Sequence, residues 1–434
     1  MNSDYALSLW SIVEEFSWLL NLQLSDIFIV DFWNDSRFPS EWHPLESLLT
    51  QRDLLLIASR HSVKREEWPE SFKHLVDRVF SLSIDRRTSV PMQSVQKAWG
   101  MKDKKSYEVS ILTRVIHGIA QEADINHIVD IGAGQGYLSY HLAHTHGYAV
   151  TAIERQAMQT FESKAKKIHK APMKGTLEFI RKTVNKHDWS DHSDNVLKGR
   201  DSLLCSLHAC GDLSPTMLRI FHENSLIKAI VNVGCCYNLM SENQKESYGF
   251  PISQLLKNVN ASLSIPMRKI AAQVTDTWSS SIEASLEAFK HHFYRAVLAF
   301  LMISEGLMQK DSGQPSVGKL PDACFSSFST YAMAALKKLK VQHSLTDEIF
   351  NSYHDKCEHQ FIRVAILWTV KSLLGSIVES LILMDRFLYL QEHGYSPMML
   401  PLFDIAKSPR NIAIIAIKGQ SVTSFSDNKI SRNS

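Results

Sequence analysis

The stretch Val129-Asp130-Ile131-Gly132-Ala133-Gly134-Gln135-Gly136-Tyr137-Leu138, followed by Ala149-Val150-Thr151-Ala152-Ile153-Glu154, decides the fold. It reads as a strand, a glycine turn, a helix, and a second strand ending in a carboxylate. His127 to Ile131 is a short apolar run of the kind found in buried parallel strands. Gly132, Gly134 and Gly136 let the backbone turn sharply and bring a ligand against bare main chain. Tyr137 to Ala143 can begin a helix whose first N–H groups point at that ligand. Glu154 is then placed to accept hydrogen bonds from ribose hydroxyls, as in nucleotide-binding α/β folds.

The spacing narrows the ligand. A dinucleotide fingerprint wants a third glycine or alanine where Tyr137 stands, and no Gly-Lys-Ser/Thr follows to make a phosphate loop. Asp130-x-Gly132-x-Gly134-x-Gly136 with an acid at Glu154 resembles motif I of class I S-adenosylmethionine methyltransferases. The resemblance implies S-adenosyl-L-methionine as cofactor, Asp130 near its methionine end and Glu154 on its ribose. Ala133, Tyr137 and Leu138 complete the implied pocket, and Lys105 is a candidate for the methionine carboxylate.

Outward from this motif, strand and helix signals alternate from residue 96 to 240, as for a parallel sheet covered on both faces. Tyr148 to Glu154 is expected as strand two, Thr176 to Val184 as strand three, Leu203 to Leu207 as strand four and Ile227 to Val233 as strand five. Asn185 to Asp201 is expected as a polar loop. Residues 1–95 read as a helical region, with helices over Leu7 to Leu20 and Trp68 to Leu82 and a turn-rich joint at Phe38-Pro-Ser-Glu-Trp-His-Pro44. Residues 241–393 turn helical again over Ile282 to Leu301, Phe328 to Leu339 and Phe361 to Leu390, with a mobile loop expected over Gln309 to Pro321. Within 394–418, Met398 to Phe403 and Ile412 to Ile417 flank a Ser-Pro-Arg-Asn turn and read as an antiparallel hairpin. The expectation is a Rossmann-like α/β sheet with an N-terminal helical region and a large helical insertion before its last two strands. Residues 419–434 read as a disordered tail.

Bulk properties exclude several classes. The 434 residues are 44% hydrophobic and 21% charged, with a formal net charge of +2. That is the composition of a globular chain, not of a polycation that advertises nucleic-acid binding. Lys164-Ala-Lys-Lys167 and Lys337-Lys-Leu-Lys340 read as solvated helix faces. Six cysteines show no disulfide-framework spacing. No leader sequence is read at the N-terminus. The apolar run Leu373 to Leu390 contains Glu379, Asp385 and Arg386, which are costly in a bilayer, and its apolar residues Leu374, Ile377, Leu381, Met384 and Leu388 trace one helix face. No membrane span is expected, and the location is read as intracellular, in cytoplasm or nucleus.

A second constellation stands at the ends of strands four and five: Leu207-His-Ala-Cys-Gly-Asp-Leu213 and Asn232-Val-Gly-Cys-Cys-Tyr-Asn238. Ligands of open α/β sheets bind beyond the carboxyl ends of the strands, so both segments should flank the cofactor. The pairing of His-x-Cys-Gly with a downstream Cys-Cys-Tyr resembles the methyltransferase-like 25 family, which includes proteins named for an rRNA adenine dimethylase domain. It is more distantly similar to the eukaryotic tRNA 2′-O-methyltransferases of the acceptor stem. The likeness runs from about residue 38 to 418 through Gly100 to Glu108, Arg268 to Gln273, Trp278, Arg295-Ala296, Val378 to Leu381, Asp385-Arg386, Leu402 to Asp404 and Ser408 to Asn411. It implies an RNA substrate. Adenine-nitrogen methyltransferases usually carry Asn/Asp-Pro-Pro/Leu-Tyr/Phe after strand four; His208-Ala-Cys-Gly211 replaces it here, which argues against adenine dimethylation.

Three chemistries stay open. His208 or Asp212 can orient or deprotonate a nucleophile for in-line attack. Cys210 with Cys235 or Cys236 can act as a covalent pair. A zinc site from His208, Cys210, Cys235 and Cys236 is disfavoured, because adjacent cysteines are an awkward pair for tetrahedral ligation and Cys-x-x-Cys is missing, so no metal is expected. Against all three, strand-end cysteines are often inert small hydrophobes. Tyr237 is a catalytic candidate or a core residue whose hydroxyl finds a partner, and Asp212 can instead cap the next helix. Lys104, Lys105 and Glu108 lie on a helix face that is solvated or meets the cofactor or a substrate phosphate. Arg410 serves an anionic substrate or pairs with Asp404. Methylation of a protein or small molecule, and a silent cofactor-binding scaffold docking a partner through its helices, are the alternative functions.

Overall fold

The computed structural model describes residues 2–61, 63, 65–88, 90, 101–155, 173–184, 189, 193–241, 249–273, 275–278, 282–309 and 317–423. Among the described residues seven strands form one sheet: β1 (His127–Ile131), β2 (Ala149–Glu154), β3 (Thr176–Arg181), β4 (Ser202–Ala209), β5 (Ile227–Gly234), β6 (Met398–Pro401) and β7 (Ile412–Ile417). Their order is β3-β2-β1-β4-β5-β7-β6. The first five run parallel, and β7 lies antiparallel to both β5 and β6. The expected hairpin therefore completes the sheet, with its second strand innermost. β4 runs two residues beyond its expected end, through His208 and Ala209.

Every residue of β1 and of β7 is buried, as a strand covered on both faces requires. On one face Ile128, Val150, Leu203 and Val231 meet Leu112, Val115 and Ile119 of the helix Asp103–Glu122 and Leu138 and Leu142 of the helix Tyr137–His146. On the other, Val129, Leu204 and Ile230 meet Met217, Leu218 and Phe221 of the helix Leu213–Glu223. β3, at the edge, is only half-covered, which is how its charged residues are accommodated.

By its contacts the chain divides into two compact units. The sheet unit comprises Met1–Trp10, Ile84–Ala272 and Val378–Ser434; the helical unit comprises Ser11–Ser83 and Gln273–Ile377. The divisions thus differ from those read in the sequence: most of the N-terminal region and the middle of the insertion combine, while residues up to Ala272 and from Val378 belong with the sheet. In the helical unit, Phe38 to Pro44 is no mere joint. Phe38 and Trp42 are buried, Trp33 lies 4.4 Å from Phe38, and the Trp42 indole donates to Ser71 Oγ at 2.9 Å. Apolar aromatic surface outweighs the turn signal of the two prolines. A capping box at Thr50 and Asp53 opens the helix Gln51–Ala58. A helix not read in the sequence spans Asp347–Glu358.

Other expectations meet local corrections. A short helix, Ser193–Leu197, interrupts the segment expected as a loop from Asn185. Lys164 to Lys167, Gly100, much of the Gln309 to Pro321 loop and most of the tail lie outside the described residues. The helix Phe361–Glu392 is buried on more than one face: Glu379, Asp385 and Arg386 are as buried as Leu381 and Leu383. Among the described residues this helix is long and apolar enough to cross a membrane, and 78% of its apolar window is buried within the protein.

Asp385 explains one of these buried charges. Its carboxylate accepts from the Ile252 and Ser253 N–H groups and from Ser253 Oγ at 2.7 Å. Burial still dominates and pushes its pKa up to about 6. A raised carboxyl takes up its proton at higher pH in the native than in the unfolded chain, so it removes native stability as pH rises from about 4 to 6. Asp385→Asn keeps an acceptor oxygen and is spared that loss. Its urea midpoint relative to wild type is expected to climb across this window, by on the order of 3 kcal/mol in unfolding free energy. A pH-independent difference would refute the assignment.

Candidate active site

The site lies along the carboxyl ends of β1, β2, β4 and β5. After β1 the chain crosses to β2, where the Gly132 and Ala133 N–H groups donate to the Ile153 carbonyl at 2.9 and 3.1 Å. Gly132, Gly134 and Gly136 all have positive φ, at 72, 57 and 73°. Such angles strain any residue with a Cβ. A Cβ built on Gly134 meets nothing within 4 Å, so the loop borders open space, as a cradle for a ligand does. Glu154 closes the loop from β2: its Oε2 accepts from the Gly134 N–H at 2.9 Å and its Oε1 from the Arg155 N–H at 2.8 Å. The glycine loop and the distal acid therefore meet, as their spacing predicts.

Asp130 is anchored within the protein. Its buried carboxylate accepts from Ser139 Oγ at 2.6 Å and from the Ser139 backbone, in the first turn of the helix Tyr137–His146. It thus serves as a remote cap where Gly136 has no side chain to offer. Desolvation raises its pKa to about 6, and the Ser139 bond and the Lys105 charge oppose the rise. Lys105 is half-buried and its pKa is lowered by desolvation, against the pull of Glu108 and Asp130.

The helix Asp103–Glu122 delivers the group that sequence reasoning underrated. Glu108 is 1% exposed, not solvated like its neighbour Lys104. It accepts from Ser408 Oγ at 2.7 Å and faces His208 Nε2 at 3.5 Å and Lys104 Nζ at 3.9 Å. Burial pushes the Glu108 carboxyl up, but His208, Ser408 and Lys104 outweigh it and its net pKa shift is downward. A carboxylate fixed behind one ring nitrogen orients the imidazole and supports its conjugate acid. His208 is half-exposed at the end of β4.

Beyond β4 and β5 the three thiols converge. Cys210 Sγ lies 2.8 Å from Cys235 Sγ and 3.5 Å from Cys236 Sγ, and the last two are 3.5 Å apart. The strand order predicts this meeting. Thiol donation from its neighbours lowers the Cys210 pKa, whereas holding that shared proton raises Cys235. Asp212 stands at the N-cap of the helix Leu213–Glu223, but its side chain makes no capping bond; its Oδ1 accepts from the Ser241 N–H at 2.8 Å and ties down the loop after β5.

Tyr237 is a core residue with an unusual partner. Its hydroxyl donates to Glu379 Oε1 at 2.9 Å, and the Arg386 and Arg410 guanidinium groups lie 5.4 and 5.5 Å from its ring centre. Arg410 pairs with Glu379, at 2.6 Å, and not with Asp404. Arg86 also contacts Glu379, and Arg410 donates to the Ala272 carbonyl. Gly234, at the end of β5, leaves room for Arg386, which a Cβ there would strike.

Comparison with known proteins fits this arrangement. A family model described as a methyltransferase domain matches residues 104–243, from Lys104 on the Glu108 helix past the Cys-Cys-Tyr segment. The chain carries a methyltransferase domain. The human probable methyltransferase-like protein 25 is 36% identical over 244 residues, covering 53% of this chain and 39% of that protein. The mouse protein of the same name is 34% identical over 241 residues, or 51% and 38%. The resemblance carried by the His-x-Cys-Gly and Cys-Cys-Tyr motifs is thus borne out. The matched region spans less than half the length of these curated relatives. A crystal structure of coclaurine N-methyltransferase bound to N-methylheliamine and SAH covers 87% of this chain and 97% of its own, at 11% identity and a TM-score of 0.24, too low to bear on the site. The methyltransferase domain alone lacks Ser408, Glu379 and Arg410, which reach its strand ends from far along the chain.

Proposed function

We propose that this chain transfers the methyl group of S-adenosylmethionine to an RNA nucleotide, within the cytoplasm or nucleus. The bond from the Gly134 N–H to Glu154 across an open, positive-φ loop carries the cofactor reading. It places a carboxylate and bare backbone side by side, which suits a ribose and the chain attached to it. The RNA reading rests on the motif resemblance to the families named for rRNA and tRNA modification. When bound, S-adenosylmethionine supplies a methyl group activated by its sulfonium.

The chain's own residues then do three things. The loop and Glu154 fix the donor, so that the acceptor can be aligned with carbon and sulfur. His208, backed by Glu108 at 3.5 Å, receives the acceptor's proton as attack proceeds. Lys105 presents positive charge beside Asp130 for the anionic end of the ligand. The acceptor that needs such a base is a hydroxyl or a protonated nitrogen.

Calorimetric titration with S-adenosylmethionine and S-adenosylhomocysteine tests the pocket. Gly134→Arg fills the open side of the loop and Glu154→Ala removes its acid; each is expected to weaken binding by about 10²-fold or more. Unchanged affinity in both folded variants would sink the cofactor site. Transfer of labelled methyl into total RNA, abolished by ribonuclease treatment, tests the acceptor. Label confined to protein or small molecules would overturn the RNA assignment.

A further inference from the structure

The three thiols at the ends of β4 and β5 all lie within 3.5 Å of one another. Adjacent side chains on a strand point to opposite faces, which makes a Cys-Cys pair awkward for one ion. Here β5 ends at Gly234 and the backbone at Cys236 turns, with φ −88° and ψ 78° and the Tyr237 N–H donating to the Cys235 carbonyl at 3.1 Å. That inverse γ-turn swings Cys236 round to the side of Cys235. Cys210 is held opposite them by backbone bonds: the Cys235 N–H donates to Ala209 at 3.3 Å and the Gly211 N–H to Cys236 at 3.2 Å. Gly211, at φ 56°, makes the tight approach that a Cβ would block against the Leu239 carbonyl.

We infer that Cys210, Cys235 and Cys236 bind a Zn²⁺ ion as three thiolates. Sulfurs about a tetrahedral zinc at about 2.3 Å stand roughly 3.8 Å apart. The two 3.5 Å edges nearly meet this, and the 2.8 Å edge opens by a small rotation of the half-exposed Cys210. A disulfide would join two of the sulfurs and strand the third. No other His, Cys, Asp or Glu among the described residues offers a ligand atom within 4.8 Å of all three. Three thiolates around zinc carry a net charge of about −1, and the protein has set positive charge there. Arg386, 1% exposed, interacts with Cys235, and its Nε and Nη1 have no hydrogen-bond partner among the described residues. Arg410 acts in the same sense on Cys236. Zinc at this place is independent of which acceptor is methylated.

The test is metal content and cobalt spectroscopy on the full chain. The purified protein is expected to hold about one zinc, and Co²⁺ replacing it is expected to show a thiolate-to-metal charge-transfer band. Cys210→Ser and Cys236→Ser should each lower bound zinc by about fivefold or more and weaken the band, while Cys357→Ser, which belongs to the helical unit, keeps both. Circular dichroism establishes that the variants are folded. Overturning results are a chain that neither holds zinc nor takes it up from micromolar solution, cobalt binding without a thiolate band, or a free-thiol count showing a disulfide between two of the three.

Discussion

Replacing Glu379 with alanine is expected to destabilise the sheet unit by about 3–5 kcal/mol. The carboxylate is 2% exposed and is shared by Arg86, Arg410 and the Tyr237 hydroxyl. Removing it takes the shared negative charge from two guanidinium groups, which keep backbone carbonyls, and the acceptor from a phenol, where water has little access. Glu379→Gln keeps the shape and one carbonyl oxygen, so a smaller loss is expected. Urea unfolding of both variants checks this. Equal and small losses would mean that the arginines find other acceptors and that the cluster is peripheral to stability.

His208→Ala is expected to lower methyl transfer by about 10²–10⁴-fold while leaving the affinity for S-adenosylhomocysteine unchanged. The reason is placement: His208 stands at the end of β4, while the proposed cofactor contacts come from the β1 loop and β2. Glu108→Gln should fall between wild type and His208→Ala, because it weakens the orientation of the ring without removing the base. Glu108 also holds Ser408, so its variant needs a stability control. Full activity in His208→Ala would leave alignment alone to account for catalysis.

The parts of this fold that were legible in the sequence are those written in local patterns. The glycine loop needs positive φ at three alternate positions, and only glycine adopts it without strain, so the residues announce the turn. β1, β4, β5 and β7 are covered on both faces and read as apolar runs. What stayed hidden depends on residues distant in the chain. Glu108 sits among Asp103, Lys104 and Lys105 and reads as solvent-facing until Ser408 and His208 arrive beside it. Arg410 looked toward Asp404, its nearest acid in sequence, and instead reaches Glu379. Asp130 is named by the motif, but its bond to Ser139 depends on where the next helix begins. The adjacent cysteines read as an awkward pair because adjacency is judged by strand geometry, whereas β5 ends at Gly234, before either of them.

The position of β7 between β5 and β6 has a consequence for the nascent chain. Until Ile412–Ile417 has left the ribosome, β5 presents Ala229 to Val233 as an open templating edge, and everything from Cys235 to Asn411 must be made first. A fragment cut to residues 104–243 would keep the motifs yet leave that edge unsatisfied, and should aggregate rather than act. The sheet that bears the proposed site is therefore discontinuous in synthesis, and it is completed only when β7 is made.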